Sequence, residues 1–171
     1  TQLMDSAMSL AIGAIAIAPS SPGTVYVGTG EPNMSLDSFF GVGLYRITNA
    51  NTATPVLSGP FNEDFFNIDI LSGSAISKIV VHPTDPNTIY ISTILGFGGI
   101  GGVFAAAPPA TGLFRSTNAT FADPAFTKID IFPGNPFYLG ISDVVMDPLD
   151  PNRIICATDD AFGFAAPFQR G

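Results

Sequence analysis

The chain has 171 residues, enough for one substantial core, and 46% hydrophobic against 12% charged content excludes a disordered, solvating tail. Fourteen acidic residues against six basic ones give a formal net charge of -8. That balance argues against any partner held through phosphates, whether DNA, RNA or an anionic lipid surface.

The sequence opens at Thr1 without a basic n-region, so an export signal is expected to have been removed or to lie outside this chain. No apolar run approaches the roughly 18 to 20 residues that cross a bilayer as a helix; "LAIGAIAIA" is nine residues long, and "GGIGGVFAAAPPATGLF" is broken by Pro108 and Pro109. Strands are expected at 12–18, 24–29, 43–48 and 54–58, then at 76–82, 88–93, 112–117 and 126–131, and finally at 141–147 and 153–158. Each has a strand's length, β-branched and aromatic content, and flanking Gly, Pro or Asn. Nothing between them carries apolar residues at helical spacing for three turns.

The strands recur. "IGAIAIAPSSPGTVYVGTG" from Ile12 aligns with "ISKIVVHPTDPNTIYISTI" from Ile76 and with "ISDVVMDPLDPNRIICATD" from Ile141, and "GLYRITNA" from Gly43 aligns with "GLFRSTNA" from Gly112. Two registered motifs in one period read as a repeated unit of four short antiparallel strands, which is how a β-propeller blade looks in sequence. The first strands, "AIAIA", "KIVVH" and "DVVMD", are nearly continuously apolar, as expected where a sheet is covered on both faces. The expected fold is therefore all-β: about two and a half blades in one propeller segment, at about 10–62, 74–132 and 139–171, with the ring left incomplete. Asp85 and Asp150 belong to Pro-x-Asp-Pro-Asn turns, where Asp and Asn side chains hydrogen-bond the nearby backbone. Cys156, the single cysteine, lies in an apolar strand and is expected to be buried; His82, the single histidine, ends a strand before a turn proline and is expected to be structural.

The segments "AIAIAPSSPGTVYVGTGEPN…GVGLYRITNA" and "ISKIVVHPTDPNTIYIST…GLFRSTNA" resemble the bacterial secreted β-propellers with neuraminidase-type (BNR/YVTN-like) repeats, relatives of the sortilin-type and xyloglucanase-type propellers. The resemblance runs to about Asp160 and implies an extracellular or cell-surface location. The family's turn after the third strand reads roughly Ser-x-Asp-x-Gly-x-Thr-Trp; here Asn49 and Asn118 stand for the Asp, Ala50 and Ala119 for the Gly, and tryptophan is absent from the sequence. One scaffold of this kind hosts hydrolases, receptors and binding modules, so function rests on the site.

In a propeller the loops after the second strand of each blade share the ligand-binding face. That puts Glu31 and Asp37 in the first such loop and Asp159 and Asp160 at the start of the third. These acids are candidates for binding a ligand or ion, calcium being the ion such a face would take; no motif implies a resident cofactor or metal. Two carboxylates at the right separation would also meet the minimum for glycoside hydrolysis. Recurrent Arg46 and Arg115 read as structural. Lys78 and Asp143 share an alignment column with Ala14, and neighbouring inner strands should bring the two charges together as a structural ion pair at the channel mouth. Asn33 and Asn118 head sequons that an exported protein could carry glycosylated. The leading functional expectation is a non-catalytic extracellular propeller segment in binding or assembly, adhesin-like or a matrix or filament component. Its partners would be glycans, and other copies or the rest of a longer chain that complete the ring. The alternative is part of a secreted glycoside hydrolase of xyloglucanase or sialidase type.

Overall fold

The computed structural model describes residues 2–33, 38–96, 111–131 and 140–159, and among them the chain is all-β, with no helix. Four strands, β1 (Ile12–Ala18), β2 (Ser21–Thr29), β3 (Leu44–Thr48) and β4 (Val56–Phe61), form one antiparallel sheet in chain order. A second four-stranded antiparallel sheet repeats that order with β5 (Ser74–Val81), β6 (Ile89–Leu95), β7 (Gly112–Ser116) and β8 (Thr127–Ile129). A third pairs β9 (Gly140–Met146) with β10 (Ile154–Asp159). The first strands of the three sheets, β1, β5 and β9, lie side by side. Among the described residues no helix is long and apolar enough to cross a membrane.

Each expected strand is present within three residues at either end, and the shifts have local causes. β2 starts at Ser21 because Ala18 pairs with Ser21 across a two-residue turn, while the register slip between Ile17 and Ala18 accommodates Pro22 and its neighbours. β4 runs on to Phe61 and so contains Pro60. The sheet tolerates it because β4 is an outer strand and its register with β3 shifts between Leu44 and Arg46.

Two seams hold the sheets together. Between the first and second sheets lie Tyr26, Leu44, Leu71, Ile76, Ile79, Val81, Ile89, Ile91, Phe114 and Phe126, all buried, with Ala14 and Ala16 of β1 packed against them. Between the second and third sheets a smaller cluster joins Tyr90, Leu113, Ile141 and Val144, with Val80, Met146, Ile154 and Cys156 half-buried around it. Alternation along each strand explains the division. Val80 of β5 meets the third sheet, whereas its neighbours Ile79 and Val81 meet the first, so a middle sheet needs apolar residues at consecutive positions. Gly28 permits the close approach at the first seam: a Cβ there would lie 2.8 Å from the Ile76 Cβ.

Candidate functional site

The turns show first which polar groups are already committed. Asp85 accepts hydrogen bonds from the Thr88 hydroxyl at 2.7 Å and the Asn87 amide at 3.0 Å, and the Thr88 bond leads the causes that hold its carboxyl below the usual carboxylate range. Asp150 accepts from the Asn152 amide at 3.1 Å in the matching turn. His82 Nδ1 faces the amides of Thr84 and Asp85 at 3.3 and 3.2 Å, and Asp147, at the same place in the repeat, accepts from the Leu149 amide at 2.9 Å. These side chains build turns.

The loop acids are not assembled into a common site among the described residues. Glu31 closes its own loop: its amide donates to the Phe39 carbonyl at 2.8 Å, and its Oε2 accepts from the Phe39 amide at 3.0 Å. Asp159 ends β10 opposite Gly140. Asp37, Asp160 and the Asp159 side chain lie outside the described residues, and no three described His, Cys, Asp or Glu side chains are grouped to hold a metal ion. Of the two sequon asparagines, Asn33 is exposed. Asn118 is engaged: its Oδ1 accepts from the Ser116 hydroxyl at 2.9 Å and the Ala125 amide at 3.0 Å. A glycan on Asn118 would disturb the turn that this residue organises.

Lys78 and Asp143 meet. Lys78 Nζ lies 3.0 Å from Asp143 Oδ1, with both side chains about half exposed at 45% and 53%. The Lys78 hydrogen bond, followed by one from the Val144 amide, lowers the Asp143 carboxyl below its ordinary value. One carboxylate paired with a cation and a backbone amide is a structural tie. Cys156 is half-buried, less than expected, because β10 has no further described strand alongside it, and burial still pushes its thiol up.

Two residues do more: Arg46, which its recurrence marked as structural without showing its partners, and Tyr26, which the sequence did not single out. Arg46, on β3, is buried and reaches into the second sheet, where its Nη1 donates to the carbonyls of Ala119 at 2.5 Å and Phe121 at 2.7 Å while the guanidinium lies 5.2 Å from the Phe61 ring centre. Tyr26, on β2, donates its hydroxyl to the Pro86 carbonyl at 2.9 Å, in the turn between β5 and β6. Burial first, against the moderating charge of Arg46, pushes its phenol up to about 12. The available signal was recurrence: Tyr26 aligns with Tyr90 and Arg46 with Arg115. A small cavity of about 180 Å³ opens beside the second sheet, walled by Phe65, Phe66, Ile70 and Phe126 with Asp64 and Lys128 at its rim. Burial lowers the Lys128 ammonium.

Compared with protein-family models, curated proteins and solved structures, the chain matches none. The site therefore has to be read from its own geometry.

Proposed function

We propose that the chain is a segment of an extracellular β-propeller with neuraminidase-type repeats, two blades and the inner half of a third, and that it acts in binding or assembly without catalysis. The observation that carries this reading is the repeated seam. Each sheet turns the same face to its successor: Ala16 and Tyr26 of the first sheet and Val80 and Tyr90 of the second occupy matching positions in the repeat and look toward the next sheet. Successive sheets set side by side by their first strands are the arrangement a propeller extends around a central axis. The commitment of Glu31 to its own loop and of Asp143 to Lys78 supports binding over hydrolysis.

The test is a pair of assays on the purified chain: retention on an array of extracellular glycans and matrix polymers, and release of chromophore from a panel of aryl glycosides. Binding without turnover is expected. Turnover that disappears in Glu31→Gln or Asp143→Asn would overturn the reading in favour of a glycoside hydrolase.

A further inference from the structure

The connection from β4 to β5 holds two adjacent phenylalanines out in solvent: Phe65 and Phe66 are 60% and 82% exposed. A closed turn fixes them there. Asp64 Oδ1 accepts from the Phe66 amide at 2.7 Å and the Ile68 amide at 3.0 Å, the Asp64 amide donates to the Ile68 carbonyl at 3.0 Å, and Asn67 takes the left-handed φ of 58° that the turn requires. The Phe126 amide donates to the Glu63 carbonyl at 3.0 Å and so ties the start of the turn to the second sheet. A turn that meets its own polar groups in this way has already lost its conformational freedom, and a ligand packing on it meets little further ordering cost.

Beside the two rings lies the cavity of about 180 Å³. Strand alternation sets its inner wall: Phe126 and Lys128, two residues apart, share one face of the second sheet, and Phe114 of β7 stands opposite Lys128 in register. Four phenylalanines and Ile70 make the lining apolar, with Asp64 and Lys128 at the rim. An apolar cavity of about 150 Å³ stays dry and accepts benzene, so the space suits one six-membered aromatic ring with a small substituent. A sugar ring does not suit it, because its hydroxyls would be pressed against walls that offer them no partner. The rim selects the substituent. An ionised carboxylate only accepts hydrogen bonds and an ammonium only donates them. A ligand carboxylate would be repelled by Asp64 and a ligand ammonium by Lys128, whereas a hydroxyl, which donates and accepts, is repelled by neither.

We propose that this cavity binds a small free phenol, its ring among Phe65, Phe66 and Phe126 and its hydroxyl outermost at the Asp64 and Lys128 rim. Aromatic walls favour an aromatic ring beyond the area it buries. A tyrosine side chain of a partner chain is the wrong occupant despite its shared chemistry: entering ring-first, it would carry its hydroxyl into the apolar floor and leave the rim charges unmet. The site goes beyond the proposed function and does not rest on the repeated seam, since one connection and one sheet build it.

Titration of the purified chain with p-cresol, followed by NMR of its amide and isoleucine methyl signals, tests this. Saturable shifts centred on Phe65, Phe66, Ile70 and Phe126 are expected. Toluene and p-toluate should each bind about fivefold more weakly, and N-acetyl-tyrosinamide about tenfold more weakly. Phe66→Ala, at an exposed position, should weaken p-cresol binding about fivefold while the urea midpoint of unfolding stays unchanged. Asp64→Asn combined with Lys128→Met keeps an acceptor for the turn amides and should bring p-cresol and toluene to equal affinity. No saturable shift up to the solubility limit of p-cresol would overturn the inference, and would leave the retention and turnover assays of the proposed function to stand by themselves. Toluene binding as tightly as p-cresol to the unaltered chain would overturn it too, by showing a cavity that reads size alone. So would N-acetyl-tyrosinamide binding more tightly than p-cresol, which would mark a peptide-docking surface, or methyl glucoside shifting the same residues, which would mark a sugar site.

Discussion

The first seam buries a cation where the second leaves its counterpart in solvent. Arg46 and Arg115 occupy the same position of the repeat, and each guanidinium lies over an aromatic ring, 5.2 Å from Phe61 and 5.7 Å from Tyr90. Arg46 is buried because the turn at Ala119 to Phe121 in the second sheet offers it two carbonyls; Arg115 is exposed. A guanidinium tolerates burial only where acceptors replace its water; here one nitrogen, Nη1, meets both carbonyls, while the buried Nε has no partner among the described residues. The difference lies in what the next sheet provides, and not in the residue.

Substitutions can widen that contrast or erase it. The largest effect is expected in the hydrophobic seams. Phe114→Ala, removing a fully buried ring from the first seam, should cost about 3 to 5 kcal/mol of unfolding free energy, whereas Val144→Ala in the second should cost about 2 kcal/mol. Urea titrations followed by circular dichroism measure both, and equal losses would show that the two seams are energetically alike despite their different sizes.

Next comes the arginine pair. Arg46→Ala strands two carbonyls in a buried place and uncovers the Phe61 face, for an expected loss of about 2 to 4 kcal/mol, while Arg115→Ala should stay within about 1 kcal/mol of the wild type. Arg46→Lys should recover only part of the loss, since an ammonium does not stack its plane over the Phe61 ring as the guanidinium does. If both alanine variants unfold at the same urea concentration, the carbonyl clamp contributes nothing.

Tyr26 supplies an alkaline test of the first seam. Its phenol titrates near 10.0 in the unfolded chain and is pushed up to about 12 in the folded one. Between those values the unfolded chain loses a proton that the folded chain keeps, so stability should fall as pH rises from about 10 to 12, by on the order of 2 kcal/mol in all. Tyr26→Phe should flatten that decline while losing the bond to the Pro86 carbonyl, at about 1 kcal/mol near neutral pH. A wild-type decline in this window no steeper than that of the Phe variant would remove Tyr26 from the seam's polar ties.

How much of this was legible in the sequence divides along the same line. The strands were readable because repeated apolar segments fall between prolines and glycines that stop them, and the turn roles of Asp85, Asp150 and His82 followed from side chains that can reach the backbone two or three residues on. The meeting of Lys78 and Asp143 came from alignment columns alone. What sequence could not supply is any contact whose second partner is a carbonyl, since a main-chain acceptor leaves no residue-type signature. The Arg46 clamp and the Tyr26 bond both end on carbonyls of the next sheet, and Glu31 is occupied by the amide of its own loop. Glu31 lies in its expected loop, whereas Asp159, expected to open the third loop, ends strand β10 instead, and whether a carboxylate is free to bind depends on the path of the backbone around it.

The smallest expected effect belongs to the ion pair that spans the second seam. At the first seam the equivalent position is Ala14, opposite Lys78, so that seam does without such a pair at this height. At the second, Lys78 and Asp143 are half exposed, and the gain is screened by solvent to about 0 to 1 kcal/mol. Its sign against pH is fixed by the direction of the shift. Asp143 titrates lower when folded than the 3.8 of the unfolded chain, so its contribution is present in full well above 3.8 and is lost as pH falls through the folded value. Lys78→Met should raise the Asp143 titration toward its ordinary range without restoring it fully, because the bond from the Val144 amide at 2.9 Å remains. The stability difference between Lys78→Met and the wild type should shrink in concentrated salt, which screens an exposed pair. Carboxyl-carbon NMR titration of Asp143 in the two proteins reads the effect directly; identical midpoints would mean that the pair seen across the second seam carries no energy, and that its apolar residues hold the two sheets together unaided.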